Sequence, residues 1–312
     1  LTGKYSHQIG MLSMSGDLSL QHPTYARALQ GAGYWTAGVG KFHWMQGWPW
    51  SSPEGVGHDL VRLRPRVAQY GFDHVWEVSG KQLARHNYCE YAARLDRKGL
   101  LQAYRDHLRT SGPNNMFPEK TLWTGDPWPF DEEDYVDNVI GGEILRALRE
   151  RPRDRPFFLF GSFCGPHKPY DPPASVLERF PLEEKDTFIV DGAPMPEELK
   201  QRLYRVRRAY KAMISVIDDH VGHILRALEA EGELERTVIL FTSDHGEMLG
   251  DHARMSKQQP WRQSVVVPTA IRHPEHLRRA VVEAPIELTD LTATMLDAAG
   301  LDPVEALSKP WP

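Results

Sequence analysis

Short apolar runs alternate with long helical patterns along this chain of 312 residues. Apolar positions recur with a helical period through residues 134–150, 197–231 and 287–299. The short runs at residues 157–160 and 237–242 are instead suited to buried strands. Helices interleaved with buried strands favour a mostly parallel sheet sandwiched by helices, because each strand needs both faces covered. The sequence therefore predicts an α/β fold.

Two further strands are predicted, one near each end of the chain. Pro23 could open a helix as its first residue, and that helix would end by Gly33. Residues 34–39 then form the first predicted strand. Residues 264–271 are a further candidate strand, which Pro268 restricts to an edge or to a bent course because proline lacks a backbone donor.

Composition and charge exclude several classes of function. The formal net charge is −5, so the chain has no overall basic field for binding nucleic acid. No run approaches the roughly 18 consecutive apolar residues of a membrane span. The 2 cysteines cannot build a disulfide framework. Two cysteines that are not expected to pair slightly favour a location in the reducing cytoplasm.

Two strand ends carry candidate catalytic residues, and ligands of parallel α/β sheets bind beyond such carboxyl ends. Lys41 and His43 follow the first strand, and side chains two apart in extended backbone point the same way. His167 follows the second strand, in a turn that Pro166 and Pro169 would hold rigidly. A surface lysine, a packed histidine and a turn histidine are the structural alternatives at these positions.

The densest cluster of ionisable residues follows the strand at 237–242. Asp244 and His245 stand at its end, and Gly246 permits a sharp turn, so both side chains can reach one divalent cation. Glu247 adds a further candidate ligand. Burying so many ionisable groups beside a core strand is costly without a counter-charge. The pattern therefore favours a metal site over a purely structural role.

Three more polar residues extend this cluster. Asp251 and His252 are predicted to orient or cap the segment rather than to bind the ion, whereas Lys257 can bring a cation back to the same pocket. Lysines beside a metal ion suit an anionic substrate group whose charge grows in the transition state. The residues alone thus indicate hydrolytic transfer of a sulfuryl or phosphoryl group, without identifying a nucleophile.

Four segments, in this order, resemble the sulfatase family of the alkaline-phosphatase-like superfamily. They are G-Y-W-T-A-G-V-G-K-F-H at 33–43, P-H-K-P at 166–169, S-D-H-G at 243–246, and the stretch K…S-V-V-V-P from Lys257 to Pro268. The resemblance covers nearly the whole chain. It implies an alkaline-phosphatase-like core and a metal-dependent sulfatase that hydrolyses a sulfate ester by a formylglycine mechanism.

The resemblance also implies roles for the catalytic candidates. Lys41 would bridge the nucleophile and the substrate's sulfate, and His43 would hydrogen-bond the formylglycine and act as the base when sulfate is expelled. His167 and Lys257 would bind the sulfate oxygens and help to protonate the leaving alcohol. An imidazole can donate a proton near neutral pH, which agrees with that assignment.

One divalent metal ion is implied, with Asp244 and His245 as its ligands from this chain. Calcium is the usual ion of the family, whose members often have Asn where His245 stands, but imidazole suits manganese, zinc or iron better than calcium. The motif S-D-H-G-E-M-L-G-D-H at 243–252 is also similar to the corresponding motif of phosphonate monoester hydrolases. A phosphonate monoester or phosphodiester hydrolase, and a catalytically dead anion-binding relative, therefore remain the alternatives.

The beginning of the sequence leads to an expectation about the nucleophile. Leu1, Thr2 and Gly3 are similar to the L-T-G that follows the family's nucleophile signature, so the formylglycine is expected upstream of Leu1, with its arginine and the first strand. Residues 1–312 would then be a catalytic-domain fragment that also lacks the smaller C-terminal domain and shows negligible turnover. Cys164 has the C-x-P start of the signature but is predicted to be a buried cysteine.

The expected partner is a small-molecule or carbohydrate sulfate ester. Residues 44–66 and 111–131 are rich in Pro, Gly and Trp and are predicted to be long ordered loops. Within and beside them, the Trp-rich stretches at 44–50 and 123–130 are the candidates for shaping the substrate pocket. No nucleic acid or membrane partner is expected, and a homo-oligomer is compatible with the sequence.

Overall fold

The computed structural model describes residues 1–12, 16–45, 58–110, 124–183, 187–192, 194–276 and 278–308. Within these ranges the strands are β1 (Trp35–Lys41), β2 (His74–Val78), β3 (Phe157–Ser162), β4 (Ile239–Thr242) and β5 (Thr269–Arg272). The α-helices are α1 (Tyr25–Gly31), α2 (Leu60–Ala68), α3 (Glu90–Arg97), α4 (Leu101–Thr110), α5 (Val136–Glu150), α6 (Ala174–Leu177), α7 (Glu197–Ala230), α8 (Arg262–Val265), α9 (Leu288–Ala298) and α10 (Pro303–Ser308).

The chain folds into two compact units, each built from separate stretches of sequence. The first unit contains Leu1–Leu101, Ile140–Phe163 and Arg279–Pro312. The second contains Gln102–Val139 and Cys164–Arg278. Of the described helices, none is both long and apolar enough to cross a membrane.

A parallel sheet of three strands, in the order β2-β1-β3, lies in the first unit. The central strand β1 is buried along all of its length except Lys41, as a strand covered on both faces must be. Gly40 pairs with Ser162 of β3 and has φ 113°, and a Cβ at Gly40 would lie 1.8 Å from the Ser162 carbonyl oxygen. Only glycine fits where the two strands approach this closely.

The helix before β1 begins later than the sequence analysis predicted. The first helical residue is Tyr25 instead of Pro23, and the side chain of Thr24 before it accepts a hydrogen bond from the backbone N–H of Arg27. A threonine in extended backbone satisfies a free donor of the first turn, which proline cannot do with its side chain. The strand that follows runs to Lys41, two residues beyond the predicted end.

The core of the first unit is aromatic where the chain leaves β1. The Phe42 ring stacks on Trp44 with centroids 4.5 Å apart, and Trp44 stacks on Phe72 at 5.1 Å. Tyr70 and Leu296 belong to the same buried cluster. The segment that carries Lys41 and His43 is therefore anchored by the rings between and beside them.

In the second unit, β4 and β5 pair antiparallel, and Thr242 is opposite Thr269. The predicted strand at 264–271 is wrong in its first half, where α8 forms, and right from Thr269 onward. Pro268 separates the two halves, since it cannot donate to a sheet ladder. The long helix α7 supplies most of a second core, which also includes Tyr170 and Met255.

The predicted loops lie only partly within the described residues. Positions 46–57 and 111–123 fall outside them, and with them most of the stretch 44–50 and the start of 123–130. The predicted loop at 44–66 is helical in its last part, where α2 begins at Leu60. The Asp59 side chain accepts from the backbone N–H of Arg62, which is a helix-capping contact.

Candidate functional site

Three of the predicted site residues line one pocket in the second unit. Asp244, His245 and Lys257 surround an open cavity of about 380 Å³. The lining is completed by Gln258, Gln259, Ser264 and Val265. The acid and imidazole that follow β4 thus meet the lysine that the sequence analysis expected to return to the same place.

The geometry of Asp244 and His245 suits a metal ion. His245 Nδ1 lies 2.8 Å from the carbonyl oxygen of Gly246, and a carbonyl can only accept, so Nδ1 carries the proton. Nε2 then presents its lone pair 3.4 Å from Asp244 Oδ2. Two electron-pair donors at that spacing can bind one cation, and a carbonyl that fixes the tautomer is the usual support of a histidine ligand. These residues therefore fit the ion that the fold family implies.

Gly246 brings a second segment against the two candidate ligands. Its N–H donates to the Ser264 carbonyl at 2.8 Å, and a Cβ on Gly246 would lie 1.9 Å from the Gln263 carbonyl oxygen. The close approach leaves no space for any side chain. The glycine of S-D-H-G thus explains why Ser264 and Val265 line the same pocket.

Lys257 lies between two residues in left-handed backbone conformation. Ser256 has φ 68° and Gln258 has φ 74°, values that non-glycine residues rarely adopt. Ser256 accepts a hydrogen bond at its hydroxyl from Lys168 Nζ, at 3.2 Å, and its backbone N–H donates to Glu247 Oε1. The backbone beside Lys257 is therefore held by two charged side chains.

Glu247 and Lys168 are both partly buried, and their pKa values shift in opposite directions. Burial raises the pKa of Glu247, although the N–H groups of Ser256 and Leu249 and the charge of Lys168 oppose that shift. Burial lowers the pKa of Lys168, and the charge of Glu247 opposes it. Each charge thus offsets part of the other's cost of desolvation.

His167 lies on a turn that a buried carboxylate holds. Asp137, at the start of α5, accepts from the backbone N–H of Cys164 at 2.7 Å and from that of Gly165 at 3.0 Å. The His167 Nδ1 atom lies 2.9 Å from the carbonyl oxygen of Lys168. Because Lys168 also reaches Ser256, the turn that carries His167 is bonded to the segment that carries Lys257. Cys164 is buried, as predicted.

Asp251 and His252 bond to protein groups outside the pocket, in agreement with an orienting role. Asp251 accepts from Arg207 at 2.8 Å and from the backbone N–H of Ile189 at 3.1 Å. His252 stacks on Trp261 with centroids 4.0 Å apart and places Nδ1 2.6 Å from Asp191. Both residues fasten the segment 187–192.

Lys41 and His43 lie in the first unit, at the end of β1. The strand ends at Lys41, and His43 has φ 56°, so the extended backbone assumed for the pair does not reach His43. The aliphatic stem of Lys41 packs against Gly80, where a Cβ would lie 3.4 Å from Lys41 Cε. Residues two apart therefore do not alternate here as they do in a strand.

Two residues that hold the site were missed by the sequence analysis. Asp137 lies 27 positions from the Cys164 backbone that it binds, and Lys168 lies 88 positions from Ser256. Pairs at such separations leave no local pattern, although Lys168 stands inside the quoted P-H-K-P segment. Glu247, considered there as a metal ligand, instead directs its carboxylate to the backbone of Ser256.

The described residues also contain one group, two of its three members exposed, with the donor types of a metal site. The ligand atoms of His273, Glu275 and His276 lie within 4.8 Å of one another, in the turn after β5. None of the three lines the pocket of Asp244 and His245. The pocket and this surface turn are therefore separate features of the second unit.

The fold is an α/β fold of the alkaline-phosphatase-like type. A solved structure, the phosphonate monoester hydrolase of Agrobacterium radiobacter, matches with a TM-score of 0.70 at 21% sequence identity. The match covers 96% of this chain and 62% of that one. At this identity the likeness defines the fold.

A model of the family described as Sulfatase matches residues 1–301, and the chain belongs to the sulfatase family. An arylsulfatase of Clostridium perfringens is 34% identical over 208 residues, covering 60% of this chain and 43% of that relative. An N-acetylglucosamine-6-O-sulfatase of Bacteroides thetaiotaomicron is 24% identical, covering 97% of this chain and 58% of that relative. The chain thus spans about half the length of these relatives.

Proposed function

We propose that the complete protein hydrolyses the sulfate ester of a small molecule or a carbohydrate, with the Asp244, His245 and Lys257 pocket as its metal- and sulfate-binding site. The observation that supports this most is the meeting of an acid, an imidazole whose Nε2 lies 3.4 Å from that acid, and a lysine around one cavity. Membership of the sulfatase family supports the reaction, and the named relatives act on aryl and amino-sugar sulfates.

The chain's own residues would bind the anion and manage its protons. A divalent cation would withdraw electron density from the sulfate oxygens, and a formylglycine would supply the attacking hydroxyl group. Lys257 would neutralise a sulfate oxygen, and His167 would donate a proton to the departing alcohol. Lys41 and His43 carry the roles that their place in the family signature implies, namely binding sulfate and accepting a proton.

The carboxylate of Asp244 and the imidazole of His245 favour some divalent ions over others. An imidazole beside a carboxylate suits manganese or zinc, whereas calcium prefers oxygen ligands. We expect isothermal titration to show tighter binding of Mn²⁺ or Zn²⁺ than of Ca²⁺ by the complete protein. The variant Asp244→Ala should lose at least about tenfold in affinity for the preferred ion. The control Asp219→Asn removes an exposed carboxylate that pairs with Arg179, and should bind as the wild type does.

Parallel turnover assays test the reaction itself. The complete protein is offered 4-nitrophenyl sulfate and the 4-nitrophenyl ester of phenylphosphonate at equal concentrations. A higher kcat/KM on the sulfate supports the proposal, and a clear preference for the phosphonate would overturn it. Assay of residues 1–312 alone tests the expectation that this chain shows negligible turnover.

A phosphonate monoester or phosphodiester hydrolase is the second candidate. The observation that favours it is His245, together with the motif S-D-H-G-E-M-L-G-D-H that contains it. The same pocket would serve, because phosphonate and sulfate esters both place negative oxygens beside a metal ion and a lysine. The paired assay above separates the two.

A further inference from the structure

Ser256, which precedes the pocket residue Lys257, forms three hydrogen bonds with other parts of the second unit. Its backbone N–H donates to Glu247, its carbonyl accepts from the N–H of Met248 at 2.9 Å, and its hydroxyl accepts from Lys168 at 3.2 Å. The residue before it, Met255, is buried in the core of the second unit. Backbone and side chain of Ser256 are thus fixed together.

The backbone around Lys257 needs such support. Ser256 and Gln258 both have positive φ, a conformation that persists in non-glycine residues only when their surroundings impose it. These two residues set the direction in which the intervening lysine leaves the main chain. Lys257 itself lines the pocket beside Asp244 and His245. The contacts of Ser256 therefore hold the backbone from which the Lys257 side chain extends.

We propose that Glu247 and Lys168 are positioning residues, which clamp Ser256 and thereby aim Lys257 into the pocket. The inference rests on the proposed function, in that Lys257 must act on the substrate. Neither clamp residue lines the cavity, so both act through the lysine rather than on the sulfate. Lys168 also carries the carbonyl that His167 Nδ1 faces, so the clamp joins the two segments that bear the candidate acid groups.

The clamp is made of two opposite charges that hold one serine, and their hydrogen bonds explain this choice of residues. The Glu247 carboxylate accepts from a backbone donor, and the Lys168 ammonium donates to a hydroxyl, so each charge is used in a hydrogen bond. Charge-assisted hydrogen bonds are stronger than neutral ones. A side chain that cannot form a hydrogen bond, at either position, would leave Ser256 held on one side only, and a neutral polar one would weaken that side.

A double-mutant cycle tests the clamp in the complete protein. Glu247→Gln is made in the wild type and in Lys257→Ala, and kcat and KM are measured with aryl sulfates whose leaving phenols differ in acidity. Glu247→Gln is expected to lower kcat/KM about 30-fold in the wild type, since a small misplacement of a reacting group is costly. In the Lys257→Ala background its effect should fall below about twofold, because it acts through that lysine.

The possible results distinguish a failure of the clamp from a failure of the proposed function. Equal losses from Glu247→Gln in both backgrounds overturn the clamp, while a large effect of Lys257→Ala leaves the proposed function intact. A Lys257→Ala enzyme that is as active as the wild type removes the proposed role of the lysine. A purely structural role of Glu247 would lower the rates of all substrates by one factor, whereas the clamp predicts greater losses for the less acidic phenols.

The rate of trypsin cleavage tests the clamp without a measurement of turnover, and so applies also to variants that are inactive. Trypsin cuts after Lys257, and cleavage there requires that the segment open locally. Lys168→Met and Glu247→Gln should each be cut at this bond at least about tenfold faster than the wild type. Lys200→Met, which removes a lysine from the exposed pair with Glu197, is the control and should leave the rate unchanged. Unchanged cleavage in both clamp variants would also refute the proposal.

Discussion

Two buried carboxylates, one in each unit, have opposite surroundings. Asp137 in the second unit is fully buried and accepts hydrogen bonds from the backbone N–H groups of Cys164 and Gly165. Glu77 in β2 of the first unit is 6% exposed, and within the described part of the chain no group donates to its Oε2. Burial raises the pKa of Glu77 to about 8. The two sites differ in their donors and hardly at all in their exposure.

The difference shows what decides the effect of a buried acid. Asp137 fixes a turn, because its oxygens accept hydrogen bonds from two backbone N–H groups of that turn. The Oε2 atom of Glu77 meets no such donor among the described residues, and burial raises its pKa to about 8, so the protein holds it as the neutral acid below that pH. Asp137, which is supplied with donors, therefore stabilises the segment that bears His167. Glu77 instead makes the stability of the protein depend on pH. Three variants test this contrast.

The largest effect is expected at Asp137. Asp137→Ala leaves the N–H groups of Cys164 and Gly165 without their acceptor, and should lower the free energy of unfolding by about 4 kcal/mol. Urea denaturation at pH 7 measures the change. Asp219→Asn, at an exposed carboxylate, is the control and should keep the wild-type midpoint. A loss at Asp137 no greater than in that control would contradict the comparison.

The next effect is the pH dependence that Glu77 causes. The folded protein keeps this proton up to about pH 8, whereas the unfolded chain releases it near the ordinary value of 4.5. The folded state therefore binds more protons in this window, and the free energy of unfolding falls as the pH rises. The contribution of Glu77 between pH 5 and pH 8 is about 3 kcal/mol.

Glu77→Gln isolates that contribution. Urea denaturation of the wild type and of the variant is compared at pH 5 and at pH 8, so that every other titrating group cancels in the difference. The variant should gain stability relative to the wild type as the pH rises. Parallel pH profiles for the two proteins would show that Glu77 is not held neutral.

The smallest effect is expected at Glu247, which is only partly buried. Glu247→Gln keeps an acceptor for Ser256 but loses the attraction to Lys168, so the free energy of unfolding should fall by about 1 kcal/mol. The same urea titration at pH 7 measures it. A loss as large as that of Asp137→Ala would mean that Glu247 supports the whole unit rather than the backbone beside Lys257.

The sequence predicted much of the secondary structure, because helical period and apolar runs are local. The helices α5, α7 and α9 lie where the periodic patterns placed them. It failed where neighbouring elements decide the conformation, as at Ser264 and Val265, which end a short helix against Gly246 instead of beginning a strand. The left-handed backbone at His43 likewise had no signal in the residue types around it.

By itself, the sequence determined the α/β class, the polar residues at the strand ends and the adjacent pair Asp244 and His245, since each follows from neighbours in the chain. The sequence also predicted that Lys257 returns to this pair, whereas only the tertiary structure decided that Asp137 and Lys168 hold the segments around it. The physical reason is that such contacts depend on how distant segments pack. A local pattern can place a charge at the end of a strand, but the fold chooses its partner.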